Sequence, residues 1–243
     1  MFTRHIKKYS FFIFSDWSKQ ERDKFLELAT PRKNAVIVDL GCGDGTFTKE
    51  LAQKVHAKIV FGVDSESMRK TLNKKRIKFI SANLNKKLPF KDNTFDIVFS
   101  HFSVEHLYNT GLFLREVRRV LKKNGYALIA TDNLSDWPNI IALLLGWQPF
   151  ITSYGVANKV LGNPLSLGDA TGFSIEDESE LGELSHNKVL AYSMFKDSLK
   201  EFGFRIHKFV GIGYLPFFGS FVRFFANNDI RHSQFLIAKI SKK

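Results

Sequence analysis

"VIVDLGCGDGTFT", Val36 to Thr48, decides how the chain is read. An apolar run ends in the acid Asp39, and Gly41, Gly43 and Gly45 then alternate with other residues before a helical pattern begins at Thr46. A continuous apolar run suits a strand buried on both faces. A glycine-rich turn into a helix lets a ligand come close to the backbone, where the helix N-terminus favours polar or anionic groups. The spacing is G-x-G-x-G, and Thr46 stands where the dinucleotide fingerprint G-x-G-x-x-G has its third glycine. Asp39 would repel a pyrophosphate, whereas it would attract a cationic ligand.

Working outward, strands and helices alternate with short connections. Strands are expected over 34–40, 58–63, 77–81, 95–100 and 126–132, with helices over 46–55, 67–74 and 112–123. Asn124-Gly125 is read as the left-handed cap that ends the last of these helices. The alternation predicts an α/β fold with an open, doubly wound sheet, whose ligands sit beyond the carboxyl ends of the strands. The pattern lapses after Asn133 and returns with a helix over 192–203 and strands over 204–210 and 233–240. Upstream, an aromatic arm precedes a helix that Ser18 and Glu21, at capping-box spacing, are expected to open.

"VDLGCGDGTFT" resembles the first motif of class I S-adenosylmethionine-dependent methyltransferases, and further pieces recur in register. "VFGVDSE" closes the second strand with Asp64 and Ser65, and "ISANLNKKLPF" holds Asn83 and Leu84. "LPFKDNTFDIVFSHFSVEHL" and "FLREVRRVLKKNGYALIATDN" match the fourth and fifth strands with their surroundings. The resemblance implies a Rossmann-like seven-stranded sheet with the last strand antiparallel, and S-adenosyl-L-methionine as cofactor. It implies cofactor contacts from Asp39, Gly41, Cys42, Gly43, Gly45, Asp64, Ser65, Asn83, Leu84 and Ser100. Asp64 would take both ribose hydroxyls. Asn83 stands where the family has an aspartate beside adenine, and it lacks the charge-assisted bond. His106 and His101, on the loop after the fourth strand, are the catalytic candidates, and His186 is placed to reach the pocket from a cap.

The 243 residues are expected to form one methyltransferase domain: an N-terminal arm and helix (1–33), a cofactor-binding core (34–133), and cap insertions at 134–190 and 211–232. The insertions carry "NIIALLLGW" and "LPFFGSFVRFFA", apolar enough for a cap, a greasy acceptor channel or a membrane-surface contact. One cysteine excludes an internal disulfide and a cysteine-rich metal site and points to a reducing, cytoplasmic setting; no metal is expected. The net charge of +12 favours acidic partners without choosing among them. Nucleic acid is disfavoured, because "SHFS" replaces the Asn/Asp-Pro-Pro-aromatic tetrapeptide of base amino methylation. The expected partner is a small-molecule acceptor, with peripheral membrane contact as a further expectation. A cofactor-binding scaffold without activity and a dinucleotide-dependent oxidoreductase are the competing readings.

Overall fold

The computed structural model describes residues 2–65, 77–152, 154–156, 159–160, 162–165 and 186–243. The helix expected over 67–74 lies outside them, as does part of the first insertion.

Strand β1 (Ala35–Leu40) is buried almost throughout, as its apolar run requires, and pairs in parallel with β2 (Ala57–Asp64) and β4 (Phe95–His101). With β3 (Lys78–Ser81), β5 (Leu121–Asp132), β8 (Phe204–Ile212) and β9 (Phe235–Lys242) these strands form a seven-stranded sheet in the order β3-β2-β1-β4-β5-β9-β8. β9 runs antiparallel to both β5 and β8. Strands β6 (Tyr154–Val156) and β7 (Lys159–Val160) make a separate antiparallel pair within the first insertion. The doubly wound expectation is therefore met, down to the antiparallel last strand.

Alternate residues of each strand feed opposite faces of the sheet. Val38 and Val98 pack with Phe113, Leu114 and Val117 of α3 (Thr110–Val120) and with Phe195 and Leu199 of α5 (Tyr192–Glu201). Ile37, Ile97 and Phe99 pack with Leu51 of α2 (Thr46–Lys54), Val222 of α6 (Ser220–Asn228) and the long helix α1 (Phe2–Leu28).

Helix α1 corrects the capping-box reading, since Ser18 lies well inside it. The reason is a buried stripe that starts earlier: Ile13, Trp17, Glu21, Phe25 and Ala29 recur every fourth residue, and all are buried against the sheet. Trp17 Nε1 donates to the carbonyl of Phe217 at 2.9 Å, so the second insertion holds the helix from above.

The cap assigned to Asn124-Gly125 is also corrected. Helix α3 ends at Val120, and Leu121 is extended (φ −71°, ψ 137°) with its side chain fully buried opposite Phe95. Gly125 sits in β5 because a Cβ there would lie 2.7 Å from the carbonyl oxygen of Asp96. Asp96 ties the lower edge together, accepting from the Val36 N–H and from Lys122 Nζ, both at 2.9 Å.

Helix α4 (Trp137–Leu144) opens the first insertion, with the Asp136 carboxylate accepting the Asn139 N–H as N-cap and Pro138 in the first turn. Its distal end leaves Leu143, Leu144 and Leu145 exposed, and α6 likewise exposes Phe221 and Phe224.

Candidate active site

The turn after β1 is built around three left-handed glycines: Gly41 at φ 84°, Gly43 at φ 51° and Gly45 at φ 76°, the last as N-cap of α2. The Gly41 and Cys42 N–H groups both donate to the carbonyl of Val63 and prolong the β1–β2 ladder. The next one, from Gly43, donates to Asp64 Oδ2 at 2.7 Å, while Ser65 N–H donates to Asp64 Oδ1 at the same distance. Asp64 is thus held at the carboxyl edge of the sheet with lone pairs still available. Gly41 has a second cause: a Cβ there would stand 2.0 Å from Ser103 Oγ, so the loop after β4 seats directly on it. Cys42 fills space beside Gly62, where a Cβ would come within 2.8 Å of its sulfur, and burial pushes its thiol well above the usual range. It is a packed side chain rather than a nucleophile.

Asp39 lies on the neighbouring strand, opposite Gly62, and is almost fully buried. Its Oδ2 accepts from Thr48 Oγ1 at 2.5 Å, while its Oδ1 is buried without a hydrogen-bond partner. Burial pushes this carboxyl up to about 6, against a smaller opposing effect of Thr48. An orphaned buried carboxylate beside a glycine turn calls for a cation or a donor. A ligand carrying an ammonium, a sulfonium and a ribose diol fits the acceptor oxygens of Asp39 and Asp64. Ser100 Oγ, on β4, is buried and lacks a partner as well.

At the end of β3, Asn83 is exposed and Leu84 is buried. The Asn83 Oδ1 already accepts the Asn85 N–H at 2.8 Å, which leaves one lone pair of that oxygen and the amide N–H groups for a ligand.

The ends of β4 and β5 hold what the sequence reading did not collect. Strand alternation turns His101, like Ile97 and Phe99, toward α1, where its Nε2 meets Glu21 Oε2 at 2.8 Å. Its ring lies against Phe25, Phe47 and Phe102. Glu105 is buried in a short 3-10 turn (Val104–His106), and its Oε2 accepts from Thr131 Oγ1 at 2.9 Å. Burial, and next Asp132, raise the Glu105 carboxyl well above its ordinary value; burial and Glu21 do the same to Asp132. Asp136 is raised by burial too. His186, near the end of the first insertion, comes to this edge: its ring lies 4.9 Å from that of His106. Burial lowers its basicity. Glu21 was legible as one step of the every-fourth-residue stripe, and Asp132 as an acid closing an apolar strand. Glu105 and Asp136 carried no local signal of burial.

This strand order, the glycine turn after the first strand and the acids at the ends of the first two strands make a doubly wound domain similar to those of class I S-adenosylmethionine-dependent methyltransferases. Comparison agrees: a methyltransferase-domain family model matches residues 38–129. An uncharacterized methyltransferase of Schizosaccharomyces pombe is 37% identical over 45% of this chain and 44% of its own. The ubiquinone biosynthesis O-methyltransferase of Pelagibacter ubique is 28% identical over 69% of this chain and 75% of its own. A solved S-adenosylmethionine-dependent methyltransferase from Mesorhizobium loti superposes with TM-score 0.54 at 20% identity, covering 88% of this chain and 94% of the other, which is a likeness of fold. The chain spans less than half the length of the fission-yeast relative.

Proposed function

We propose that this protein transfers the methyl group of S-adenosylmethionine to an oxygen or nitrogen of a small acceptor that has an apolar part. The observation that carries the reading is the buried, unpartnered Oδ1 of Asp39 beside the glycine turn, with Asp64 tied to that turn through Gly43. The cofactor supplies an electrophilic methyl group on a positively charged sulfur. Asp39 balances the cofactor's charge, Asp64 accepts from its ribose hydroxyls, and Gly41 to Gly45 let its polar end approach the backbone. Ser65 and Ser100 offer side-chain hydroxyls beside it, while Leu84 and Asn83 flank the adenine. His106 is the proton acceptor for the incoming nucleophile. His101, bound to Glu21 through Nε2, positions the wall of the site rather than acting as a base.

The apolar acceptor is supported by the exposed Leu143, Leu144 and Leu145 on the first insertion and by Phe218, Phe221 and Phe224 on the second. The named role of the Pelagibacter relative, O-methylation in ubiquinone biosynthesis, supports it too. Among the described residues no helix is long and apolar enough to cross a membrane. The reading therefore takes an apolar acceptor at the surface of a bilayer, with the net charge of +12 favouring anionic lipid.

Calorimetric titration with S-adenosylmethionine, and separately with its demethylated product, tests the cofactor; a folded protein that binds neither ends the reading. Asp64→Ala is expected to weaken binding of both by roughly 1–3 kcal/mol, the worth of a hydrogen bond to a charged group. Unchanged affinity would remove Asp64 from the site. His106→Ala is expected to lower kcat by about 100-fold or more, as removal of a general base does, with cofactor affinity nearly intact. A matching loss in both quantities would make its role structural. Acceptor specificity is checked by presenting quinols and phenols with and without an isoprenoid tail, in liposomes and in solution; preference for a fully polar acceptor rejects the apolar assignment.

A further inference from the structure

Glu105, His106 and His186 come together without any motif linking them, and one ligand atom of each lies within 4.8 Å of the others. Two chain segments are stapled to make this cluster. The Lys188 N–H donates to the Glu105 carbonyl at 3.0 Å, and Asn187 Nδ2 donates to the His106 carbonyl at 2.8 Å, which fixes residue 186 beside residues 105 and 106. His186 Nδ1 is 2.5 Å from the carbonyl oxygen of Ile151 and 3.6 Å from Asp132 Oδ2. A carbonyl only accepts, so the proton of that hydrogen bond sits on Nδ1 and Nε2 keeps its lone pair. Thr131 orients the Glu105 carboxylate through Oε2, whereas Oε1 is buried with no partner in a side chain that is 1% exposed. A buried acceptor left open, beside an imidazole whose Nδ1 is held from behind by a carbonyl, is the arrangement that metal ligands adopt.

We propose that Glu105, His106 and His186 bind a divalent first-row cation of the zinc type. One carboxylate and two imidazoles suit that class over magnesium or calcium, which favour all-oxygen sets. Three protein ligands leave at least one coordination position, and it takes an oxygen of the methyl acceptor, whose hydroxyl the cation would acidify. That last role rests on the methyl-transfer reading above; the binding of the cation does not. If the role holds, His106 spends its lone pair on the cation instead of taking the proton itself, so the His106→Ala loss of turnover reports lost metal rather than a lost base, and metal content of the variant separates the two.

The experiment is a cobalt(II) titration of the full chain after chelator treatment, followed by its visible absorption, with demethylated-cofactor binding measured in parallel. One equivalent of cobalt should produce intense d–d bands that zinc abolishes by competition. His186→Ala and His106→Ala should each weaken cobalt binding by about tenfold or more and still bind the demethylated cofactor. Glu105→Gln, which keeps the buried shape, should do the same. Absence of bands in the wild-type protein, or bands unchanged in both histidine variants, overturns the site. Bands in a protein that binds no cofactor would leave the metal site standing and remove its role in methyl transfer.

Discussion

Asp39→Asn is expected to make the ligand-free protein more stable at about pH 8, by roughly 1–3 kcal/mol, while weakening S-adenosylmethionine binding by about tenfold or more. The carboxyl is buried, and its value is raised from 3.8 to about 6, mainly by that burial. The difference is worth about 3 kcal/mol. Because the native value is the higher one, the native state holds more protons than the unfolded chain between the two values. Stability therefore falls as pH rises through that window, and the whole penalty is present above the native value. Asparagine removes the penalty and keeps the shape, but it exchanges the charge-assisted bond from Thr48 for a neutral one worth about 1 kcal/mol less. Urea unfolding of both proteins should show the advantage of the variant at about pH 8 and its disappearance toward about pH 4. Calorimetry should show the opposite ranking for the cofactor. A variant less stable at every pH would mean that Asp39 is fully satisfied in the ligand-free fold.

Gly41→Ala is expected to cost about 2–5 kcal/mol, combining a left-handed backbone with an overpacked contact. The residue has φ 84°, and the added methyl would stand 2.0 Å from Ser103 Oγ and 2.8 Å from Ser103 Cβ. Ser103 cannot retreat cheaply, since it is buried and its hydroxyl donates to the Leu40 carbonyl at 3.0 Å. The turn that follows it carries Glu105 and His106, so the same substitution should lower turnover beyond its effect on stability. Adding Ser103→Gly should recover the contact part and leave only the backbone part, about 1–2 kcal/mol. Equal stability of the single and double variants would show that the contact contributes nothing. A loss below about 1 kcal/mol in Gly41→Ala alone would show that the loop shifts freely.

Much of this was legible before folding. The apolar runs and glycine turn sufficed for the alternation of strands and helices, because a strand buried on both faces and a helix with one apolar stripe leave different periods in the chain. The boundaries erred where a distant partner decided them. Ser18 and Glu21 have the spacing of a capping box, but the sheet buries Ile13 and Trp17, and the helix runs through. Asn124-Gly125 has the composition of a helix cap, but Leu121 is drawn into the sheet beside Phe95, and the glycine serves a close backbone approach instead.

The sequence by itself determined the class of fold and the turn with Asp39 and Asp64, since each rests on residues within one strand and the loop that follows it. Tertiary structure alone decided what gathers beyond the ends of β4 and β5. Glu21 meets His101 across 80 residues of chain, and the same number separates His186 from His106. Nothing in the local pattern around either partner encodes the other, because burial of a carboxylate or the orientation of an imidazole is set by whatever the finished fold brings within a few ångströms of it.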